Sequence, residues 1–552
     1  MNPIAARAVN LCRAASRLVL APACLLLGAQ AGAQVGAQVP DAPGAPGAPA
    51  PSGAQASFVL NAVSFAGNTR FSSQTLQALM ADRIGGRVTL ADLQRLADRV
   101  TALYRESDYI LTRTVVPAQD VSAGRVEFSV LEGRLGRVRV ERIDDVRVRD
   151  GLIEGMLARL PTDRPLTQRE LERVILMLAD TPGMATQAGL ESGDQPGTYD
   201  LIVEVKSVPR MSFSADLDNQ GSHATGEYRV GASARLNSPL RRGDNLDLRL
   251  FNSFGKGLSF GRLSYEAPVG YGGWRTSLAY GRVQYELGKD FAALGAYGSA
   301  DVVELAATYP LLRSRGHNLF GKVSLEYKQL RDHIGAVALL SSKRTRDLGL
   351  GLVYERRDQL FAGGYTSASL TVYGGELDLR SPDDLAIDQG ASGRHTDGRF
   401  VRAGYTASRL QSLGANLSAY LALAGQWANK NLDSADKIAA GGARAVRAYS
   451  SASGIGDEAR ILNLELRWSV TPDGSLSAFY DIGRVRTNRR PGDTPGSNHE
   501  TLAGPGIGAY WAVANGAALR ASLAWPKRAS GAGAGSQDER SPRAYAQLIK
   551  MF

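Results

Sequence analysis

The chain has 552 residues, carries 64 Lys and Arg against 54 Asp and Glu for a formal net charge of +10, and contains 62 glycines. That length exceeds one compact domain at the usual size of about 100–200 residues, and the mixed composition excludes disordered and collagen-like chains. The basic excess forms no tract longer than a few residues, which argues against nucleic acid and leaves an anionic membrane or a cation-lined cavity.

Arg7, Arg13 and Arg17 precede the apolar run LVLAPACLLLGAQA, which ends among the small residues Ala29, Ala31 and Ala33. This charged, apolar, A-x-A order predicts a secretory signal over residues 1–33. A lipoprotein signal using Cys24 is the rival, but Leu25, Leu26 and Leu27 continue the apolar run past it. Both cysteines, Cys12 and Cys24, lie in this removable piece, so the exported chain is expected to use no disulfide, thiolate metal site or cysteine nucleophile. Residues 34–56, rich in Pro, Ala and Gly, read as an extended linker. Beyond them no run of about eighteen apolar residues occurs, so any membrane crossing must be made by strands.

Residues 57–132 alternate between strand and helix patterns: FVLNAVSF as strand, FSSQTLQALMADRI and TLADLQRLADRVTALYRES as helices, ILTRTVV and RVEFSVLEG as strands. The same β-α-α-β-β order returns over residues 133–208, which marks a tandem repeat. Over residues 209–552 helical periods give way to period two. In NLDLRLF, Leu246, Leu248 and Leu250 oppose Asp247 and Arg249; in ILNLELRW, Leu462, Leu464, Leu466 and Trp468 oppose Asn463, Glu465 and Arg467. Segments of about ten residues, polar loops and aromatics near strand ends predict a transmembrane barrel of about sixteen antiparallel strands. The predicted fold is thus two α+β domains followed by an all-β barrel. AYAQLIKMF, with Phe552 on the face of Leu548, Ala546 and Ala544, resembles the closing strand and assembly signal of such barrels. Lys550 stands on that same face in place of the aromatic expected there, and a lysine near the rim can snorkel to water.

One loop stands out. GGARAVRAYSSASGIGDEA places Arg447 between Val446 and Tyr449 with no acid before Asp457. In SLSAFYDIGRV, Leu476, Ala478, Tyr480 and Ile482 share one face, so Phe479, Asp481 and Gly483 must face the lumen. The glycines Gly441, Gly442, Gly454 and Gly456 would let the loop fold inward, where Arg447 could reach Asp481 beside the side-chain-free Gly483. The alternative reading is a solvated loop cation and an unrelated lumen acid.

VRAY at residues 446–449 is similar to the V-R-G-Y/F motif of the Omp85-type superfamily, and FYDIG at 479–483 matches its F-x-D-x-G motif. With two tandem units of the POTRA pattern, nearly the whole exported chain resembles the outer-membrane transporters of two-partner secretion, the haemolysin secretion and activation protein family. The resemblance implies that Arg447 pairs with Asp481, with Val446 and Tyr449 completing the loop motif and Phe479 and Gly483 the wall around it. It also implies an unfolded exoprotein of adhesin, haemolysin or toxin type as partner, contact with outer-membrane lipid, insertion by the barrel-assembly machinery, and neither cofactor nor nucleic acid. Ala448 stands where the motif has glycine, a strain if that position needs positive φ.

Other functions are weighed against this. A barrel-assembly factor of the same superfamily would usually carry more than two POTRA units, and a passive pore would need no partner. GLSFG at residues 257–261 fits G-x-S-x-G but sits within a strand pattern, and the five histidines show no metal-ligand spacing. No G-x-x-x-x-G-K-[ST] segment is present, so transport is not expected to run on nucleotide.

Overall fold

A computed structural model describes residues 57–255, 257–492, 497–513, 515–527, 530–531 and 541–552. The expected signal and linker lie outside the described residues. Two compact units are present, one reaching Val208 and taking in Arg241–Gly243, the other holding Pro209–Leu240 and Asp244–Phe552.

In the first unit, β1 (Ala62–Ala66), α1 (Ser73–Ala78), α2 (Leu90–Glu106), β2 (Arg113–Val115) and β3 (Arg125–Leu131) form a sheet of order β1-β3-β2 backed by the helices. Then β4 (Arg134–Arg142), α3 (Asp150–Leu157), α4 (Gln168–Ala179), β5 (Met184–Ser192) and β6 (Thr198–Ser207) repeat that plan in the order β4-β6-β5. In each, the first strand runs parallel to the last and the middle strand antiparallel to it. Helix α2 begins with a capping box, Thr89 with Asp92, and α4 with Thr167 and Glu170.

Two predicted elements are shorter than their patterns. FVLNAVSF breaks at Leu60, whose backbone bonds Gly85 and Gly86, while the Asn61 N–H turns to Gly124 O at 2.7 Å. The chain changes partner there, from Arg87–Val88 to β3. Helix α1 stops at Ala78 and gives way to a 3₁₀ turn, Ala81–Arg83, ahead of Gly85 at φ +82°.

Glu132, 7 % exposed, closes the first repeat. It accepts from Tyr104 Oη at 2.7 Å, Thr69 N at 2.6 Å and Arg70 N at 2.9 Å, and from the Thr69 hydroxyl. Burial alone would raise its carboxyl, but the donors, Thr69 foremost and then Tyr104, outweigh burial and hold it below the usual glutamate range. This depressed value makes the stabilisation complete above the unfolded glutamate value of about 4.3, and it is lost as pH falls through the folded value. Glu132→Gln is expected to destabilise the first repeat by about 1–3 kcal/mol. Amide exchange of the full protein should show α2 less protected in the variant, with the acid-induced loss seen in the parent chain gone.

The second unit is a closed antiparallel barrel. Its first eight strands are β7 (Met211–Asp218), β8 (Arg229–Asn237), β9 (Asn245–Ser253), β10 (Leu258–Val269), β11 (Trp274–Glu286), β12 (Ala296–Arg313), β13 (His317–Ile334) and β14 (Leu339–Asp358). The second eight are β15 (Gly364–Leu379), β16 (Gly398–Ser412), β17 (Leu417–Ala428), β18 (Glu458–Thr471), β19 (Gly474–Arg486), β20 (His499–Val513), β21 (Ala517–Ala524) and β22 (Arg543–Met551). These are the sixteen full strands of the barrel, and a two-residue strand, Ser530–Gly531, pairs with β20 beside them. The ring closes where β22 pairs with β7, from Gln547 opposite Asp218 to Met551 opposite Ser214, and Phe552 N donates to Phe213 O at 3.0 Å. Lys550 leans over to the Asn515 carbonyl in the adjacent turn.

Several strands run well past the expected ten residues: β12 and β13 have 18 each and β14 has 20. Side-chain polarity explains the surplus. On β11 the outward Leu278 and Tyr280 give way to outward Arg282, Gln284 and Glu286, while inward Val283 and Tyr285 become a buried apolar set with Ala300 and Leu330. Past the hydrocarbon the wall takes the polarity of a water-soluble sheet, apolar inside and polar outside.

Candidate functional site

The 29-residue connection between β17 and β18, residues 429–457, folds into the barrel. Ile438–Ala439 pairs antiparallel with Ile455–Gly456, so the excursion is a closed finger with VRAY at its tip. Gly442 turns the tip at φ +115°, where a side chain would be strained. Val446, fully buried, lies on Gly483 of β19, where an added Cβ would stand 3.0 Å from the valine methyl.

Arg447 meets Asp481 as a fork: Nε to Oδ2 at 2.8 Å and Nη2 to Oδ1 at 2.9 Å, with the Arg447 backbone N–H donating to Oδ2 at 3.0 Å. The Asp481 side chain is fully buried. Asn463 Nδ2 donates to its Oδ1 and to Ala445 O, both at 2.8 Å, tying loop and wall together. The remaining Arg447 nitrogen, Nη1, reaches Glu465 Oε2 at 2.8 Å, and Glu465 accepts from Arg467 Nε at 2.8 Å. Phe479 lies flat under the guanidinium, 3.3 Å from it to the ring centroid. Two cations and two anions thus balance in a largely water-excluded cluster, where the pairing must offset heavy desolvation. Tyr449 donates to the Lys527 carbonyl, and Tyr545 Oη of β22 donates to Tyr449 O at 2.8 Å.

All six motif residues meet at this one place; Phe552 lies apart, at the β22–β7 seam. Sequence reasoning left Glu465 and Asn463 unassigned, although the alternation of ILNLELRW had already put both on the lumen face. Ala448 lies outside the left-handed region, so the missing glycine costs the backbone nothing. Its methyl fits over Gly504, where an added Cβ would come within 2.6 Å of it.

The base of the same finger is held by the far wall. Asp433 Oδ2 meets Lys343 Nζ of β14 at 2.9 Å, and Asp436 Oδ1 meets Lys328 Nζ of β13 at 2.7 Å and Arg402 Nη2 of β16 at 3.5 Å. Lys328 also has Glu326 at 2.8 Å and Asp347 at 3.3 Å, and Lys343 has Asp332 at 3.7 Å. Between these ion pairs Ala435 packs on the apolar set of β10 to β13. Asp457, fully buried, accepts from Leu432 N at 3.1 Å, Arg489 N at 2.7 Å and Lys437 Nζ at 2.6 Å, closing the root of the excursion. The connection spans the lumen with ionic attachments at both ends.

A barrel with a loop pinned across its lumen, preceded by two POTRA repeats, defines an outer-membrane transporter of the Omp85 type. The family model for haemolysin secretion/activation proteins ShlB/FhaC/HecB matches residues 197–511, and that for the ShlB-type POTRA domain matches residues 58–133. The chain belongs to the ShlB/FhaC/HecB family of haemolysin secretion/activation proteins. Among its relatives, the heme/hemopexin transporter protein HuxB of Haemophilus influenzae is 25% identical over 470 residues, covering 83% of this chain and 81% of the relative. The outer membrane transporter CdiB of Escherichia coli is 22% identical over 432 residues, covering 75% and 69%. The solved structure of CdiB from Escherichia coli superposes with a TM-score of 0.71 at 19% identity, covering 92% of this chain and 93% of that one. The protein is therefore a two-partner secretion transporter of the outer membrane, with its POTRA domains in the periplasm. This is the reading favoured over the assembly-factor and passive-pore alternatives.

Proposed function

We propose that the chain exports one dedicated exoprotein, of adhesin, haemolysin or toxin type, and that the Arg447–Asp481 cluster is the working latch of that export. The family match with a loop held across the lumen supports this most directly. The unfolded partner adds an extended segment to an open sheet edge in the periplasm, such as β1 or β5, each paired on one side only. It then passes the displaced finger and folds outside, which biases the motion outward without chemistry at any catalytic group. In this reading residues 1–33 are removed, 34–56 tether, 57–132 and 133–208 capture, and 209–552 conduct. Outer-membrane lipid surrounds the barrel, and the barrel-assembly machinery inserts it.

Deleting the gene is expected to remove one large exoprotein from the culture medium and leave it in the periplasm, with restoration by the intact chain. A deletion strain that releases every large exoprotein normally sinks the proposal.

A further inference from the structure

Arg460 on β18 and Arg484 on β19 stand directly opposite each other in the ladder. Both are exposed on the outward face, since they continue the faces of Leu462, Leu464 and Leu466 and of Leu476, Ala478 and Ile482. Like charges directly opposite in a sheet destabilise it. Among the described residues, neither arginine has a carboxylate in ion-pairing range, and the nearby Glu458 already faces Arg486 and Arg489, each at 3.6 Å.

Position supplies the second observation. Leu464, Leu466, Trp468 and Leu476 are all 43–53 % exposed, which is the lipid-facing belt. Arg460 and Arg484 are the first outward residues beyond that belt on their strands, at the end that leads to the long loops and opposite the end at which β7 begins. Thr501 sits opposite Arg484 on the neighbouring strand and offers a hydroxyl. Two guanidinium groups side by side match the oxygens of one phosphate, to which each can donate two hydrogen bonds.

We propose that Arg460 and Arg484 form a binding site for a phosphate of an outer-leaflet glycolipid, whose acyl chains run down the apolar belt below. The anion converts a repulsive cross-strand pair into a bridged one. It thereby clamps, from the lipid side, the two strands whose inner faces carry Asn463, Glu465 and Asp481.

Native mass spectrometry of the full protein in detergent, titrated with diphosphoryl lipid A, tests this. The intact chain should retain the lipid and gain thermal stability from it. R460Q/R484Q should bind at least about tenfold more weakly, a loss of about 1.4 kcal/mol, and should gain little stability. If the double variant does not fold, R460Q alone, which relieves the repulsion, carries the comparison. Dephosphorylated lipid A should bind the intact chain as weakly as the variant binds the phosphorylated form. Equal binding of lipid A by variant and parent, or equal binding of the dephosphorylated lipid, overturns the proposal. Complete displacement by inorganic pyrophosphate at the lipid's own concentration also overturns it, because the site would then be one for free anions.

Discussion

Replacing Arg447 by alanine is expected to cut exoprotein release at least about tenfold while the barrel stays folded. The substitution removes the fork to Asp481, the bond to Glu465 and the stacking on Phe479. Each charge-assisted bond is worth about 1.5–3 kcal/mol, so the held position of the fingertip loses far more than a tenfold preference. Asp481 keeps the Arg447 backbone N–H and Asn463 as donors, and the ladder of strand hydrogen bonds is untouched. The fold should therefore survive. Secretion assays with heat-modifiable gel mobility separate the two outcomes: normal release means that the latch has no role, and loss of the compact band means that Arg447 is structural. Arg447→Lys should fall near alanine, because a single ammonium cannot make the fork.

At the other end, Asp433→Asn with Asp436→Asn is expected to raise the steady ion current through single barrels in planar bilayers by at least about tenfold, since two charge-assisted contacts holding the finger closed are weakened. A balance of charge makes this end the easier one to release. When Asp436 leaves, Lys328 and Arg402 still face Glu326 and Asp347; when Asp433 leaves, Lys343 still faces Asp332. The wall stays neutral. At the tip, departure of Arg447 leaves Asp481 and Glu465 with Arg467 as the nearest cation, an uncompensated buried charge that costs several kcal/mol. The doubly substituted chain should accordingly keep its thermal stability while conducting more. A current unchanged from the parent would mean that the base contacts do not govern opening.

Much of this was readable from residue order because strand parity is strict. Alternation alone placed Asp481 in the lumen, and the glycines around VRAY marked a loop able to turn inward. What alternation leaves open is depth and partner: it puts Glu465 and Asn463 on the right face without saying that Arg447 sits at their level. Asp433 and Asp436 were invisible as anchors, because their partners on β13, β14 and β16 lie 34 to 108 positions away in the chain and loops carry no period to align them. The same locality explains α1, whose pattern continued beyond Ala78 although the backbone had already turned towards Gly85. The concern over Ala448 was misplaced for a related reason: the accommodating glycine is Gly504, on a different strand.

The tall section formed by β12, β13 and β14 gives the barrel an uneven parapet, with these strands at 18 to 20 residues against 8 for β7 and β21. A polypeptide leaving the mouth is expected to meet its highest wall on that flank.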